Sequence, residues 1–193
     1  MKRQQISIHR ISKRDFPLIE QLFGENGACE GCWCMYWRAS SNMEYKDGRG
    51  VKNKIKLKKL VEDGKIHALI ALDDNKPVGW CTFGPRENFK RLTSYRTLQR
   101  EFCPELWSIV CFFTDKNYRR TGISNALLSE AVKYCFEKGA QEVEGFPIKV
   151  SSTYSYTYTG ITTQFERLGF NHLIRENEKR PIYVLKKKDF VFT

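Results

Sequence analysis

The amino-acid sequence predicts an α/β or α+β domain built on a mixed β-sheet. Segments that alternate apolar and polar residues, as strands do, take turns with segments whose apolar residues recur at helical spacing. In addition, two strand-like segments flank Asp73-Asp74-Asn75, which favours the turn of a β-hairpin. No repeat or linker divides the 193 residues. We therefore expect a single domain over residues 1–193.

In the first half of the chain, the spacing of apolar residues and the capping residues at segment ends predict the secondary structure. Alternation predicts strands, and apolar residues three or four apart predict helices. The predicted elements are a strand over 5–10, a helix over about 13–23 with Ser12 as N-cap, a loop over 24–31, a lysine-rich amphipathic helix over Val51–Glu62 ended by Gly64, and a hairpin of 67–72 with 77–83.

The second half alternates strands and helices more regularly. Residues 87–103 are polar and basic, and they favour either a helix or irregular structure. The remaining predicted elements are a strand over 107–113, a helix up to Glu137 stopped by Gly139, a strand over 143–148, a short helix over Thr162–Arg167 closed by Gly169, and a strand over 181–185.

The most informative stretch joins the strand at 107–113 to the helix that follows. A polar turn leads into Arg119-Arg120-Thr121-Gly122-Ile123-Ser124, and then an apolar helical face begins. The first N–H groups of a helix have no partner within it and carry partial positive charge. Gly122 lets a phosphate approach the backbone, and the two arginines add cationic donors. The stretch therefore predicts a site for a diphosphate-bearing cofactor.

Three segments in order carry a resemblance to a known family. Arg119-x-x-Gly122-x-Ser124 resembles the Arg/Gln-x-x-Gly-x-Gly/Ala loop of the GNAT superfamily of N-acetyltransferases. Pro77-Val78-Gly79-Trp80 is similar to the family's hairpin before the cofactor strand. Phe165-Glu166-Arg167-Leu168-Gly169-Phe170 is similar to its Tyr-Glu-Lys-Leu-Gly-Phe ending. Two positions depart from the pattern, because Ser124 replaces Gly or Ala and Phe165 replaces Tyr.

The resemblance implies both a fold and a co-substrate. The fold is a central, mostly antiparallel twisted sheet flanked by helices, whose cofactor strand carries a β-bulge and splays from its neighbour. The co-substrate is acetyl-coenzyme A. Its pyrophosphate is expected on Arg119, Arg120, Thr121, Gly122, Ile123, Ser124 and Asn125, and its pantetheine arm on the backbone of Phe112, Phe113 and Thr114.

The implied reaction is direct attack of a primary amine on the thioester in a ternary complex, with no covalent enzyme intermediate. It needs a base for the ammonium, donors for the oxyanion and an acid for the leaving thiolate. The family's usual acid is the tyrosine replaced by Phe165. The role is therefore empty, or a tyrosine of the inserted segment 149–159 fills it. Tyr158 is the first candidate, ahead of Tyr154 and Tyr156.

The base is less well marked. Some members of the family carry a carboxylate near the start of the cofactor strand, where this chain has Ser108. Glu144, on the neighbouring strand, is the candidate base, and the alternative is a solvated carboxylate at the strand edge. Ordered water can also carry the proton, so a missing base does not exclude activity.

A cysteine-rich segment, Cys29-x-x-Cys32-Trp33-Cys34-Met35-Tyr36-Trp37-Arg38, needs its own interpretation. We favour a wall of the acceptor pocket in which Trp33, Tyr36 and Trp37 offer flat faces to a cationic amine. Plain core packing and a transient thiol pair are the alternatives. We expect no metal site, because C-x2-C-x-C lacks a second half and the three histidines are far apart.

Composition limits the cellular compartment and the kinds of partner that we expect. Seven cysteines, an odd number in mostly apolar patterns, indicate reduced thiols and a cytoplasmic protein, and neither a signal peptide nor a membrane-spanning run is visible. The expected partner is a small-molecule or peptide amine; a homodimer is compatible with the sequence. The net charge of +11 raises nucleic acid as a partner, but the lysines are scattered. The rival functions are a non-catalytic acyl-coenzyme A sensor and a basic nucleic-acid-binding module.

Overall fold

The computed structural model describes residues 6–101, 103–149, 157–174 and 180–191. Within these ranges the strands form one seven-stranded sheet in the order β1-β2-β3-β4-β5-β7-β6. Neighbours are antiparallel except β4 and β5, which are parallel. The expected mixed, mostly antiparallel sheet is thus confirmed. The strands are β1 (Ile6–Arg10), β2 (His67–Asp73), β3 (Lys76–Pro85), β4 (Leu106–Thr114), β5 (Glu142–Gly145), β6 (Asn171–Leu173) and β7 (Ile182–Lys186).

Helices cover both faces of the sheet because β2 and β3 are apolar on both sides. In β2, Leu69 and Ala71 belong to the core under α5, whereas Ala68 and Ile70 pack with α1 and α3. The helices are α1 (Phe16–Phe23), α2 (Asn42–Gly48), α3 (Val51–Glu62), α4 (Lys90–Ser94), α5 (Ile123–Glu137) and α6 (Thr162–Arg167).

Several elements differ from the prediction at their ends. Helix α1 begins at Phe16, with Pro17 in its first turn, and its N-cap is Asp15. Ser12 is therefore not the N-cap; its backbone N–H instead donates to the Asp15 carboxylate at 2.7 Å. Strand β5 stops at Gly145, and Ile148 forms only an isolated bridge to Ile161.

Helix α2 and strand β6 are not in the prediction. Helix α2 does have a readable start signal, because Ser41 is followed three residues later by Glu44. The Ser41 hydroxyl accepts a hydrogen bond from the Glu44 N–H at 3.1 Å, and the Glu44 carboxylate accepts from the Ser40 N–H at 2.8 Å. Helix α2 has few apolar residues, so apolar periodicity does not predict it.

The end of β4 separates from β5, as the family resemblance implies. A bulge leaves Val110 without a partner, since Thr82 pairs with Cys111 and Phe83 with Ile109. Pairing between β4 and β5 ends at Ile109 and Gly145. Beyond that point the two strands leave a gap, and the segment around Tyr158 approaches β4 from the other side of it.

A buried ion network holds the paired part of β4 and β5 together. The side chain of Glu144 is fully buried on β5. Its carboxylate pairs with the Arg86 guanidinium, lies 3.3 Å from Nη1 of Arg100, and accepts a hydrogen bond from Ser108 Oγ at 2.6 Å. We expected Glu144 to point into an open cleft, and the structure instead directs it to these partners. We therefore propose a structural role, in which Glu144 compensates the charge of Arg86 and Arg100.

We predict that Glu144→Gln lowers the free energy of unfolding by about 3–5 kcal/mol, because removing one partner leaves buried guanidinium charge uncompensated. Urea denaturation measures this loss. Glu142→Gln is the control, because Glu142 is on the same strand and pairs with Arg100 at 2.6 Å but remains partly exposed; its loss should be smaller. Loss of turnover in a Glu144→Gln protein of unchanged stability would restore Glu144 as a base.

Candidate active site

Two cavities meet at the splayed end of β4. The larger, about 770 Å³, lies between the end of β4, the turn before α5, and α6. The smaller, about 300 Å³, lies between β4 and the cysteine-rich segment. Phe113 and Tyr158 line both cavities. Groups bound in the two cavities would therefore meet beside these two side chains.

The predicted phosphate-binding residues collect around the larger cavity. It is lined by Arg119, Arg120, Gly122, Ile123, Ser124 and Asn125, together with Phe112, Phe113 and Thr114. Thr121 does not line it, since its hydroxyl donates to the Tyr118 carbonyl at 2.6 Å. The expected loop and strand thus face one space, and Thr121 is left to stabilise the turn.

Helix α5 begins at the wall of this cavity without a side-chain cap. Its N-cap is Gly122, whose φ of +91° lies in the left-handed region that favours glycine. A Cβ at this position would meet nothing within 4 Å, so the space in front of the backbone is open. The first N–H groups and the positive end of the helix dipole are consequently available to an anion.

The backbone of β4 offers fewer free groups than the resemblance implies. The Phe112 N–H already donates to the Tyr158 carbonyl at 2.6 Å, and the Asp115 N–H donates to the Val78 carbonyl of β3 at 2.9 Å. Because backbone groups alternate in direction along a strand, Phe113 also turns its N–H to β3, whereas Thr114 turns its own to the gap. The groups left for a pantetheine arm are therefore mainly those of Thr114.

Helix α6 supplies residues that sequence reasoning did not assign to the site. Thr163, Gln164 and Arg167 line the larger cavity. Gln164 Nε2 donates to Ser124 Oγ at 2.7 Å, so the hydroxyl that replaces the family's Gly or Ala is tied to α6. Arg167 adds a third cation beside Arg119 and Arg120. These contacts join residues about forty positions apart, and no local sequence signal predicts them.

Phe165 is part of the core, as its apolar side chain requires. It is fully buried and meets Phe112 edge to face at 6.4 Å between ring centroids. A Cβ on Gly145 would lie 2.1 Å from its ring. The position of the family's usual tyrosine therefore holds a packed ring with no hydroxyl to donate.

Tyr158 is a half-buried tyrosine at the junction of the two cavities. Burial raises the pKa of Tyr158 above its ordinary value, and a hydrogen bond with the Cys29 thiol raises it further. The phenol is protonated at neutral pH as a result. Tyr154 and Tyr156, the alternative candidates, lie outside the described residues.

The smaller cavity has aromatic and thiol walls. Tyr36 and Trp37, both predicted, line it with Tyr45 of α2. Trp33 does not, since it is 3% exposed and packs against Phe16 and Phe23 in the core under α1. The expected wall role of Trp33 is thus corrected to core packing. Its backbone has a φ of +47°, which is uncommon for a residue other than glycine.

Four cysteines line the same cavity: Cys29, Cys32, Cys34 and Cys111. Burial raises the pKa of Cys32 to about 11, and the contact with Cys34, at an S–S separation of 3.7 Å, together with burial raises the pKa of Cys111. Neutral thiols form a soft, nearly apolar surface and are poor nucleophiles. Within the described parts of the chain, no three His, Cys, Asp or Glu side chains are placed to hold a metal ion.

Arg91 of α4 holds the aromatic wall of the smaller cavity in place through contacts with Tyr36. Its guanidinium is buried and lies 4.2 Å from the centre of the Tyr36 ring. It donates to the carbonyls of Tyr36 at 2.7 Å and Ser41 at 2.8 Å, and to Asn42 Oδ1 at 2.6 Å. One side chain thus stabilises the whole connection from the cysteine-rich segment to α2. Its partners are about fifty residues away, which is why the sequence does not reveal it.

The sequence of residues 31–152, more than half of the chain, matches the acetyltransferase (GNAT) family. This chain therefore belongs to that family of acetyl-coenzyme A-dependent enzymes. The three ordered motifs of the sequence and the splayed β4 agree with this assignment. No curated protein matches the sequence significantly.

Solved structures share the fold at low sequence identity. An N-acetyltransferase from Staphylococcus aureus Mu50 is 14% identical, with a TM-score of 0.58 over 94% of this chain and 98% of that one. The PaiA N-acetyltransferase from Thermoplasma acidophilum, solved with coenzyme A, is 17% identical, with a TM-score of 0.56 over 94% and 99%. YncA from Salmonella typhimurium, solved with acetyl-coenzyme A, is 12% identical, with a TM-score of 0.55 over 94% and 93%.

None of the helices in the described ranges has the length and apolar character needed to cross a membrane. The longest, α5, has 15 residues and packs on the sheet.

We predict that Gly122→Val weakens acetyl-coenzyme A binding strongly, because a branched side chain would occupy the space where a phosphate approaches the start of α5. Calorimetric titration measures the affinity. Gly139→Val is the matched control: Gly139 follows the same helix, has a φ of +98°, and is also open around its Cβ position. Both variants place valine at a positive φ, so equal affinities in folded proteins would contradict the phosphate placement.

Proposed function

We propose that this protein transfers an acetyl group from acetyl-coenzyme A to the primary amine of a small molecule or peptide, by direct attack in a ternary complex. The observation that carries the proposal is the junction of two cavities of different character at Phe113 and Tyr158. One cavity is cationic and ends at an uncapped helix. The other is aromatic and of a size suited to a small side chain or metabolite.

In this proposal the larger cavity holds the cofactor. The pyrophosphate lies at the start of α5, where Arg119, Arg120 and Arg167 supply positive charge. The pantetheine arm follows the open side of β4 past Thr114. The thioester then reaches the junction beside Phe113 and Tyr158, which exposes its carbonyl carbon to the smaller cavity.

The raised pKa values of two thiols in the smaller cavity, those of Cys32 and Cys111, support direct attack. The amine nitrogen bonds to the thioester carbonyl carbon, and the C–S bond then breaks to release the thiolate of coenzyme A. A covalent acetyl-cysteine route needs a thiolate nucleophile, and the raised pKa values of Cys32 and Cys111 disfavour one. Cys32 and Cys111 therefore act as walls in this proposal.

Tyr158 is the proposed acid for the departing thiolate. It is protonated at neutral pH, and it lines the point where the two cavities join. It takes the role that Phe165, fully buried, is unable to fill. The thiolate of coenzyme A is a fair leaving group, so a weak acid suffices to assist it.

The ammonium proton leaves to water in this proposal. Glu144 is enclosed by its arginine partners, and the carboxylate lining the smaller cavity in the described residues is that of Glu30. Glu30 is 59% exposed and pairs with Arg49, so it contacts solvent as well as the cavity. Water entering along this exposed side is the proton acceptor we infer.

The rival sensor function is motivated by Ser108 and Phe165, which replace family residues linked to catalysis. Ser108 is buried and donates to Glu144, so it contributes to the core network. A measurement of coenzyme A release with a panel of primary amines tests the proposal against the sensor. Amine-dependent release above hydrolysis supports it, and tight acetyl-coenzyme A binding without release for any amine would favour the sensor.

We predict that Tyr158→Phe lowers kcat by about 10²–10⁴-fold, the usual contribution of a general acid, with little change in acetyl-coenzyme A affinity. Single-turnover kinetics isolate the chemical step. Tyr118→Phe is the control, since Tyr118 lines the larger cavity but donates its hydroxyl to Asp73 at 2.7 Å. Normal chemistry in Tyr158→Phe would show that the thiolate leaves unassisted, and an equal loss in both variants would show a packing effect.

A further inference from the structure

The charged groups around the smaller cavity are unevenly distributed. Its lining contains one guanidinium, that of Arg180, and one carboxylate, that of Glu30, within the described ranges. The Glu30 carboxylate is already paired with Arg49 at the exposed side. A second guanidinium, that of Arg91, lies directly behind Tyr36. The cavity is therefore positive, which is an unusual setting for a protonated amine alone.

Arg180 is held in a definite position by groups on three sides. Its Nη1 donates to Thr159 Oγ1 at 3.0 Å and to the Phe146 carbonyl at 3.5 Å. Its guanidinium lies 5.7 Å from the centre of the Trp37 ring. Thr159 follows Tyr158, so Arg180 is tied to the turn that carries the proposed acid.

These contacts use one side of the guanidinium and leave the other side for a ligand. An arginine has five N–H donors in a planar fork, and both on Nη1 are engaged. The edge formed by Nε and Nη2 has no hydrogen bond to any described residue. This edge has the spacing that binds a carboxylate through two parallel hydrogen bonds. Burial lowers the pKa of Arg180, as expected for a desolvated cation.

We infer that the acceptor is an amine that also carries a carboxylate, as an amino acid does, and that Arg180 binds this carboxylate and determines specificity. The inference rests on the proposed function. The carboxylate lies on the free edge of Arg180, the side chain lies against Tyr36 and Trp37, and the amine points to Tyr158 and the thioester. One ligand group thus compensates the cation, and the aromatic and thiol walls take the apolar remainder.

The same arrangement selects against polycationic acceptors. A second ammonium in a cavity of about 300 Å³ would lie near Arg180, and the described lining supplies no unpaired carboxylate to compensate it. Like charges close together in a half-buried site are strongly unfavourable. Polyamines and aminoglycosides should therefore be poor acceptors.

The test uses matched pairs of amines with and without the carboxylate: L-leucine with 3-methylbutylamine, L-phenylalanine with 2-phenylethylamine, and L-tryptophan with tryptamine, with spermidine as the polycation. Binding to the protein saturated with coenzyme A is measured by calorimetry, and acetylation by thiol release. We expect at least one pair in which the carboxylate-bearing amine binds about 10–100-fold more tightly than its partner. A gain of this size is what hydrogen bonds to a charged group contribute to affinity.

Three variants separate the role of Arg180 from general electrostatics. Arg180→Gln should remove the preference within the pair, and Arg180→Lys should retain part of it, since an ammonium keeps the charge but not the fork. Arg49→Gln is the control, because it removes the same charge beside the cavity but from a residue paired with Glu30. The free energy of unfolding of each variant shows whether it is folded.

The outcomes distinguish this inference from the proposed function. If no amine of the panel is acetylated, the proposed function fails, whichever amine binds. If amines are acetylated but every carboxylate-bearing member binds no better than its partner, the inference is overturned. It is also overturned if Arg49→Gln reduces the preference as much as Arg180→Gln, or if spermidine is the preferred acceptor.

Discussion

The separation of β4 from β5 beyond Ile109 and Gly145 is the constraint on which the site depends. On the paired side, the buried Glu144 network holds the two strands together. On the open side, Gly145 has no side chain, so the ring of Phe165 fills the space beside it. The gap is therefore bounded by an ionic core at one end and an aromatic core at the other.

The connection that crosses this gap positions the proposed chemistry. The Tyr158 carbonyl accepts the Phe112 N–H, which places the Tyr158 side chain where the two cavities meet. Thr159 then holds Arg180, and Gly160 accepts from the Ile148 N–H at 3.0 Å. Consecutive residues thus link the cofactor strand, the proposed acid and the proposed carboxylate-binding group. A change in one of these contacts would be transmitted to the others.

The cysteine-rich segment, which lines the proposed acceptor cavity, has a strained backbone. Ala28, Glu30, Trp33 and Cys34 all have positive φ, a conformation that costs about 1 kcal/mol or more for residues with a Cβ. Packing of Trp33 in the core and the hydrogen bonds of Arg91 hold the segment in place. Strain of this kind persists only where surrounding contacts over-determine it, and it is typical of binding sites.

Local pattern determined the class of the fold, and it marked the loop for which we propose a phosphate-binding role. Alternation and helical spacing identify the hairpin, Val51–Glu62 and Thr162–Arg167, and Arg119 to Ser124 marks the proposed cofactor turn, because neighbours in sequence create each of these signals. Only the tertiary structure decided that Glu144 is enclosed, that Trp33 is core, and that Arg180 lines the smaller cavity. Burial and charge compensation depend on groups that are distant in the chain, and no local spacing encodes which of them will meet.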